Sequence, residues 1–209
     1  MSTVIYPSPI FGPIHSRRLG VSLGINLLPH DGKVCTFDCI YCECGLNCYK
    51  KPHTTPPTRQ IVYTSLENKL IEMSQSGQIP DVLTFAGNGE PTLNPQFPEI
   101  IDDVIMLRDK YCPRAKVSVL SNSTQLHRSE IREALMKTDN PILKLDTVDS
   151  TYIKLVDRPN NNYDVEKTIK LLATMGRKII IQTMFMKGTL PDNTNIDNTT
   201  DAYVIPNKP

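Results

Sequence analysis

The run Val82-Leu83-Thr84-Phe85-Ala86-Gly87-Asn88-Gly89-Glu90-Pro91-Thr92 decides the fold. A strand-sized apolar stretch ends in two glycines, a carboxylate and a proline, which is how a buried strand turns sharply toward a helix. Similar runs follow at Val117-Ser118-Val119-Leu120, Ile142-Leu143-Lys144-Leu145 and Ile179-Ile180-Ile181, and they read as strands buried on both faces. Upstream, residues 21–28 form a first strand, followed by some three dozen residues without period. Helical patterns fill the gaps. Thr64 and Glu67 stand at capping-box spacing ahead of Leu66, Leu70 and Ile71, with Gly77 closing that helix. Asn94-Pro95 starts a second helix carrying Ile100, Val104, Leu107 and Tyr111. Ile131 and Leu135 mark a third, and Asp164 caps a fourth that ends at Gly176.

Alternating strands and helices predict an α/β fold with parallel strands and right-handed crossovers, either an open doubly wound sheet or a partial barrel. In both, ligands gather at the carboxyl ends of the strands. The chain of 209 residues suits one domain, with hydrophobic content of 39% and charged content of 22%. A formal charge of +1 lacks the basic excess of a dedicated nucleic-acid binder. No apolar run spans a bilayer, and Pro7, Pro9 and Pro13 interrupt the first stretch, so the expectation is a cytoplasmic protein without a membrane partner.

In a reducing compartment, clustered cysteines point to metal ligands or catalytic thiols. Three of the six cysteines fall in the loop after the first strand, as Cys35-Thr-Phe-Asp-Cys39-Ile-Tyr41-Cys42. Three thiolates on a loop can surround one centre. A structural zinc site normally closes with four ligands, whereas an iron–sulfur cluster with an unligated iron can bind a small molecule there. Cys44 and Cys48 follow closely and read as ligands of a second metal, redox thiols or, as the default, small packing residues, and Cys112 reads as a core thiol.

The Cys-x3-Cys-x-aromatic-Cys loop after the first strand resembles the radical SAM superfamily. That resemblance implies a (βα)6-type partial barrel, a [4Fe-4S] cluster on Cys35, Cys39 and Cys42, and S-adenosylmethionine (SAM) at the fourth iron. It implies that Tyr41 lies beside the SAM adenine, and that Gly87, Asn88, Gly89 and Glu90 hold the methionyl amino group, with Asn88 where a glycine is usual. Asn tolerates a left-handed backbone better than most residues. Ser121 and Asn122 end the third strand, while Lys144 and Asp146 share a face of the fourth, where they either contact SAM or pair with each other. The implied activity is an oxidoreductase-type reductive cleavage of SAM to a 5′-deoxyadenosyl radical that takes hydrogen from a substrate. An electron donor such as flavodoxin or ferredoxin would feed it.

Within the superfamily, the cysteine loop and the Gly-Asn-Gly-Glu-Pro-Thr-Leu run are similar to a group related to tRNA wyosine-base synthases, although the charge gives tRNA no support. The competing reading is a non-catalytic iron–sulfur or zinc-binding module. The expected organisation is an N-terminal extension over 1–20, a core over 21–188 and a polar tail over 189–209. Five strands are expected in the core. Either Tyr203-Val204-Ile205 supplies a sixth, or the barrel lacks its last helix and strand.

Overall fold

The computed structural model describes residues 3–17, 19–49 and 51–199. One six-stranded sheet runs β1 (Ile10–Ser16), β2 (Gly20–Ile25), β3 (Val82–Phe85), β4 (Lys116–Ser121), β5 (Asn140–Lys144) and β6 (Ile180–Gln182), in that spatial order. The pairs from β2 to β6 are parallel, and β1 lies antiparallel on the β2 edge. Strand order follows sequence order without reversal, so every right-handed crossover falls on the same side. That excludes the doubly wound alternative and leaves a partial barrel.

The crossovers are α1 (Arg59–Gln75), α2 (Phe97–Tyr111), α3 (Ser129–Lys137) and, after β5, α4 (Ser150–Tyr152) running into a π-helical turn at Ile153–Asp157, then α5 (Val165–Thr174). Alternation along each strand sorts the two faces. Leu23, Ile25, Leu83, Phe85, Val117, Val119 and Leu143 pack in one cluster with Val62, Leu66, Leu70 and Met73 of α1 and Ile100, Val104 and Leu107 of α2. The opposite face is polar, with Ser22 and Thr84 hydroxyls 2.8 Å apart and Asn140 donating to Ser118. Lys144 stands on this second face, in register with Gln182.

Several local expectations shift. Helix α1 begins at Arg59, with the Thr58 hydroxyl accepting from Ile61 N, and not at Thr64. Its buried stripe, Val62, Leu66, Leu70 and Met73, needs the extra turn, and Glu67 serves instead as acceptor for Lys110 and Tyr111 of α2. Asn94 does not cap α2. Its Oδ1 accepts from Gln96 N and its Nδ2 donates to Leu27 O, tying the end of β2 to the helix entry. Asp164 caps α5 as expected, and Gly77 and Gly176 both take positive φ after their helices.

Strand β6 is not buried on both faces: Ile180 and Ile181 are each 45% exposed, because no further strand or helix covers them among the described residues. The segment expected as an N-terminal extension carries β1. The expected tail also folds in part, as an antiparallel hairpin of β7 (Lys187–Thr189) and β8 (Asn195–Asp197). Ile196 buries against Tyr152 and Val156, and the Asn198 amide donates to Asp146 O and Met184 O. Tyr203-Val204-Ile205 lies outside the described residues.

Candidate functional site

Cys35, Cys39 and Cys42 lie on the connection from β2 to α1, which backbone hydrogen bonds lash to the turn after β3 and to the π-helical turn that follows β5. Val34 bridges to Gly89, with Val34 N donating to Asn88 O at 2.9 Å and Glu90 N donating to Val34 O at 3.0 Å. On the other side, Asp38 N donates to Asp157 O and Ile40 N to Val156 O, so the π-helical turn is a docking strip for the loop. Asn47 fixes the curvature: its Oδ1 accepts from Cys35 N while its Nδ2 donates to Cys35 O, Phe37 O and Asp38 Oδ1.

This lacing explains the glycines after β3. A Cβ on Gly89 would stand 1.9 Å from Val34 O, and Gly89 holds φ +131°. The close approach that needs glycine is thus made by the cysteine loop's own backbone. Asn88 does not adopt the left-handed backbone its residue type would tolerate. It is buried, and its amide accepts from Tyr6 N and donates to Tyr6 O and Pro29 O, pinning the N-terminal segment under the turn.

Glu90 is 1% exposed, and burial pushes its carboxyl upward. Four donors oppose that: Thr92 N, Thr92 Oγ1 and Ser121 Oγ on Oε1, and Asn122 N at 2.6 Å on Oε2. Oε1 is saturated, which leaves Oε2 the acceptor open to a ligand. Asn122 in turn directs its Nδ2 at Cys35 Sγ (3.4 Å) and at Thr36 Oγ1 (2.8 Å). The Glu90, Ser121 and Asn122 set therefore meets the first cysteine directly.

Tyr41, Lys144 and Asp146 also come together. Lys144 Nζ donates to Tyr41 OH at 2.7 Å, to Asp146 Oδ2 and to Asp157 Oδ1 at 2.6 Å, and the Tyr41 hydroxyl donates to Asp146. Of the two readings of Lys144 and Asp146, the ion pair is present, widened by Asp157. Burial pushes the Tyr41 phenol up, with Cys39 and Asp146 adding to it, and lifts Asp157 to about 6 against the pull of Lys144. Burial works against the Lys144 ammonium, but Cys39, Asp157 and Asp146 hold it above its usual value.

The thiols divide. Burial raises Cys35 to about 11 and Cys39 to about 12. Cys42 is pulled down to about 6 by hydrogen bonding from the Cys44 thiol, with the Lys33 ammonium helping against burial. Cys44 is buried with its sulfur 3.4 Å from Gly87 O, Cys48 is exposed, and Cys112 is the expected core thiol. Among the described residues, no three ligating side chains converge on a single ion. A four-iron cluster takes one thiolate per iron, so three cysteines spread along one loop fit it, with one iron left over. Cys39, Tyr41 and Cys42 border a cavity of about 830 Å³ whose other walls include Glu43, Arg158 and Leu190, and not Glu90 or Lys144.

The sequence reading missed Lys33, Asn47 and Asp157. Lys33 and Asn47 carry no periodic or motif signal, and Asp157 reaches the site only because the π-helical turn swings it there.

A partial parallel barrel with three cysteines on the loop after its first parallel strand defines a cluster-binding α/β barrel. Residues 31–194 match the radical SAM superfamily, and the chain belongs to it. The expected pairing of a [4Fe-4S] cluster with SAM is that of the superfamily. The chain is similar to a Brachyspira hyodysenteriae protein named GTPase Obg (33% identical over 171 residues, 80% of this chain and 23% of that one). A UPF0026 protein of Methanocaldococcus jannaschii is 32% identical over 165 residues (77% and 47%), and one of Helicobacter pylori 29% over 195 residues (91% and 60%). The chain thus spans between about a quarter and three fifths of these relatives. Among solved structures, native anSMEcpe with bound AdoMet superposes with a TM-score of 0.54 at 17% identity, over 78% of this chain and 43% of that one, a likeness of fold. No helix among the described residues is long and apolar enough to cross a membrane.

Proposed function

We propose that this chain is a radical SAM enzyme that holds a [4Fe-4S] cluster on Cys35, Cys39 and Cys42 and binds SAM at the remaining iron. The observation that carries the reading is the lacing of the three-cysteine loop, through Val34, to the Gly87–Glu90 turn at the end of β3. When bound, the cluster supplies the electron that splits SAM into methionine and a 5′-deoxyadenosyl radical, which takes hydrogen from a substrate.

The chain's residues bind and orient. Glu90 Oε2 and the backbone from Gly87 to Gly89 receive the methionyl ammonium. Ser121 and Asn122 hold Glu90 in place, and Asn122 supports Cys35. Tyr41, Lys144 and Asp146 open their mutual bonds to meet adenine, carboxylate and ribose, since a buried ammonium and carboxylate accept only partners that satisfy them. An electron donor of the flavodoxin or ferredoxin class, in a reducing cytoplasm, supplies the reductant. A tRNA base is the substrate candidate to assay.

The test is anaerobic reconstitution followed by dithionite and SAM, with 5′-deoxyadenosine measured. Wild type should form it and Cys39→Ala should not. Zinc in place of iron, or a cluster that forms without SAM cleavage, would overturn the catalytic reading in favour of a binding module.

A further inference from the structure

Lys33 stands two residues before the first cysteine, and its side chain is 1% exposed. Lysine is almost never so deeply buried without a partner. Its Nζ donates to Gly45 O at 2.7 Å and stands 3.4 Å from Asp38 Oδ1. That carboxylate oxygen already accepts from Asn47 N at 2.7 Å and Asn47 Nδ2 at 2.8 Å, so Asp38 is a shared and distant counterion. Gly45 N in turn donates to Cys42 O at 2.9 Å, and Asn47, which shares Asp38 with Lys33, accepts from Cys35 N at 3.0 Å, so the ammonium is held on the turn that carries Cys42 and beside the residues that fix Cys35. Across the loop, Lys144 beside Tyr41 has its charge balanced by Asp146 and Asp157. Lys33 is therefore the less neutralised of the two buried cations.

We propose that Lys33 is a positioning residue whose buried positive charge, set against Cys42 and Cys35, raises the reduction potential of the cluster those sulfurs hold. The inference rests on the proposed function. Reduction adds one negative charge to the cluster, and a fixed cation nearby stabilises the reduced form. Water and salt screen a group this buried much less than one at the surface. Cluster charge and surrounding hydrogen bonds are the established determinants of such potentials. The chemistry balances as one electron taken from a reductant by the cluster, with no proton moved at Lys33.

The test is a potentiometric titration of the reconstituted full chain, read by electron paramagnetic resonance of the reduced cluster. Lys33→Gln keeps a donor for Gly45 O without the charge, Lys33→Met removes both, and Lys33→Arg keeps the charge. At a fixed potential, the Gln and Met variants should show at least a tenfold lower ratio of reduced to oxidised cluster, a downward shift of about 59 mV for a one-electron couple. Arg should stay near wild type. A Gln variant with wild-type potential overturns the charge role and leaves a tether to Gly45. A Gln variant that takes up no cluster overturns it too, assigning Lys33 to assembly. A wild-type chain that forms no cluster refutes the proposed function itself, and this inference with it. A wild-type cluster that cleaves no SAM refutes the function alone.

Discussion

Replacing Gly89 by alanine isolates the contact that builds the site. The new Cβ would lie 1.9 Å from Val34 O, a backbone atom that cannot swing aside, at a φ of +131°. Backbone strain there is of order 1–3 kcal/mol. Moving Val34 away breaks the bonds from Val34 N to Asn88 O and from Glu90 N to Val34 O, each worth about 1 kcal/mol. Together the loss is about 3–5 kcal/mol, which for a chain this size lowers the melting temperature by roughly 6–20 °C. The control is Gly77→Ala, also at positive φ (+72°) but with nothing within 4 Å of the new Cβ. It should cost about 1–2 kcal/mol, the left-handed penalty alone. Thermal unfolding by circular dichroism compares the two. If Gly89→Ala melts within about 2 °C of Gly77→Ala, a difference under about 1 kcal/mol, the approach of the cysteine loop is not what requires glycine, and the reasoning fails.

Two further outcomes are expected. Asn198→Ala strands Asp146 O, Met184 O and Met186 N, which its amide now serves, and should cost about 2–4 kcal/mol in urea unfolding; a loss below about 0.5 kcal/mol would show the hairpin to be loosely attached. Asp157 titrates near 6 when folded and near 3.8 when unfolded. Between those values the folded state binds the extra proton, so this carboxyl's contribution to stability is complete below pH 3.8 and is lost as pH rises through 6. Asp157→Asn should flatten the corresponding decline in unfolding free energy between about pH 4 and pH 6. An unchanged slope would mean that Lys144 already holds Asp157 ionised.

Strands β3, β4 and β5 were legible because each is a short apolar run whose neighbours repeat at regular intervals, and the caps at Asp164, Gly77 and Gly176 because cap chemistry is local. Strand β1 was missed: Pro9 and Pro13 break its pattern, and it survives as an antiparallel edge with an irregular register between Phe11 and Ile14. The start of α1 was missed because Thr64 and Glu67 imitate a cap inside a helix whose buried stripe begins earlier. The hairpin after β6 was hidden in polar residues, since its order depends on Ile196 meeting Tyr152 and Asn198 meeting Asp146, each more than forty residues away.

The sequence by itself determined the class of the protein, because spacing and periodicity are properties of neighbouring residues: parallel strands joined by helices, and three cysteines on the first long loop. Only the tertiary structure decided which side chains share a site. Lys33 and Asp157 carry no local signature, and the Asn88 side chain is taken up by Tyr6 and Pro29. The reason is that burial and charge balance are set by distant parts of the chain. A lysine becomes a buried counterion only once the loop around it has closed.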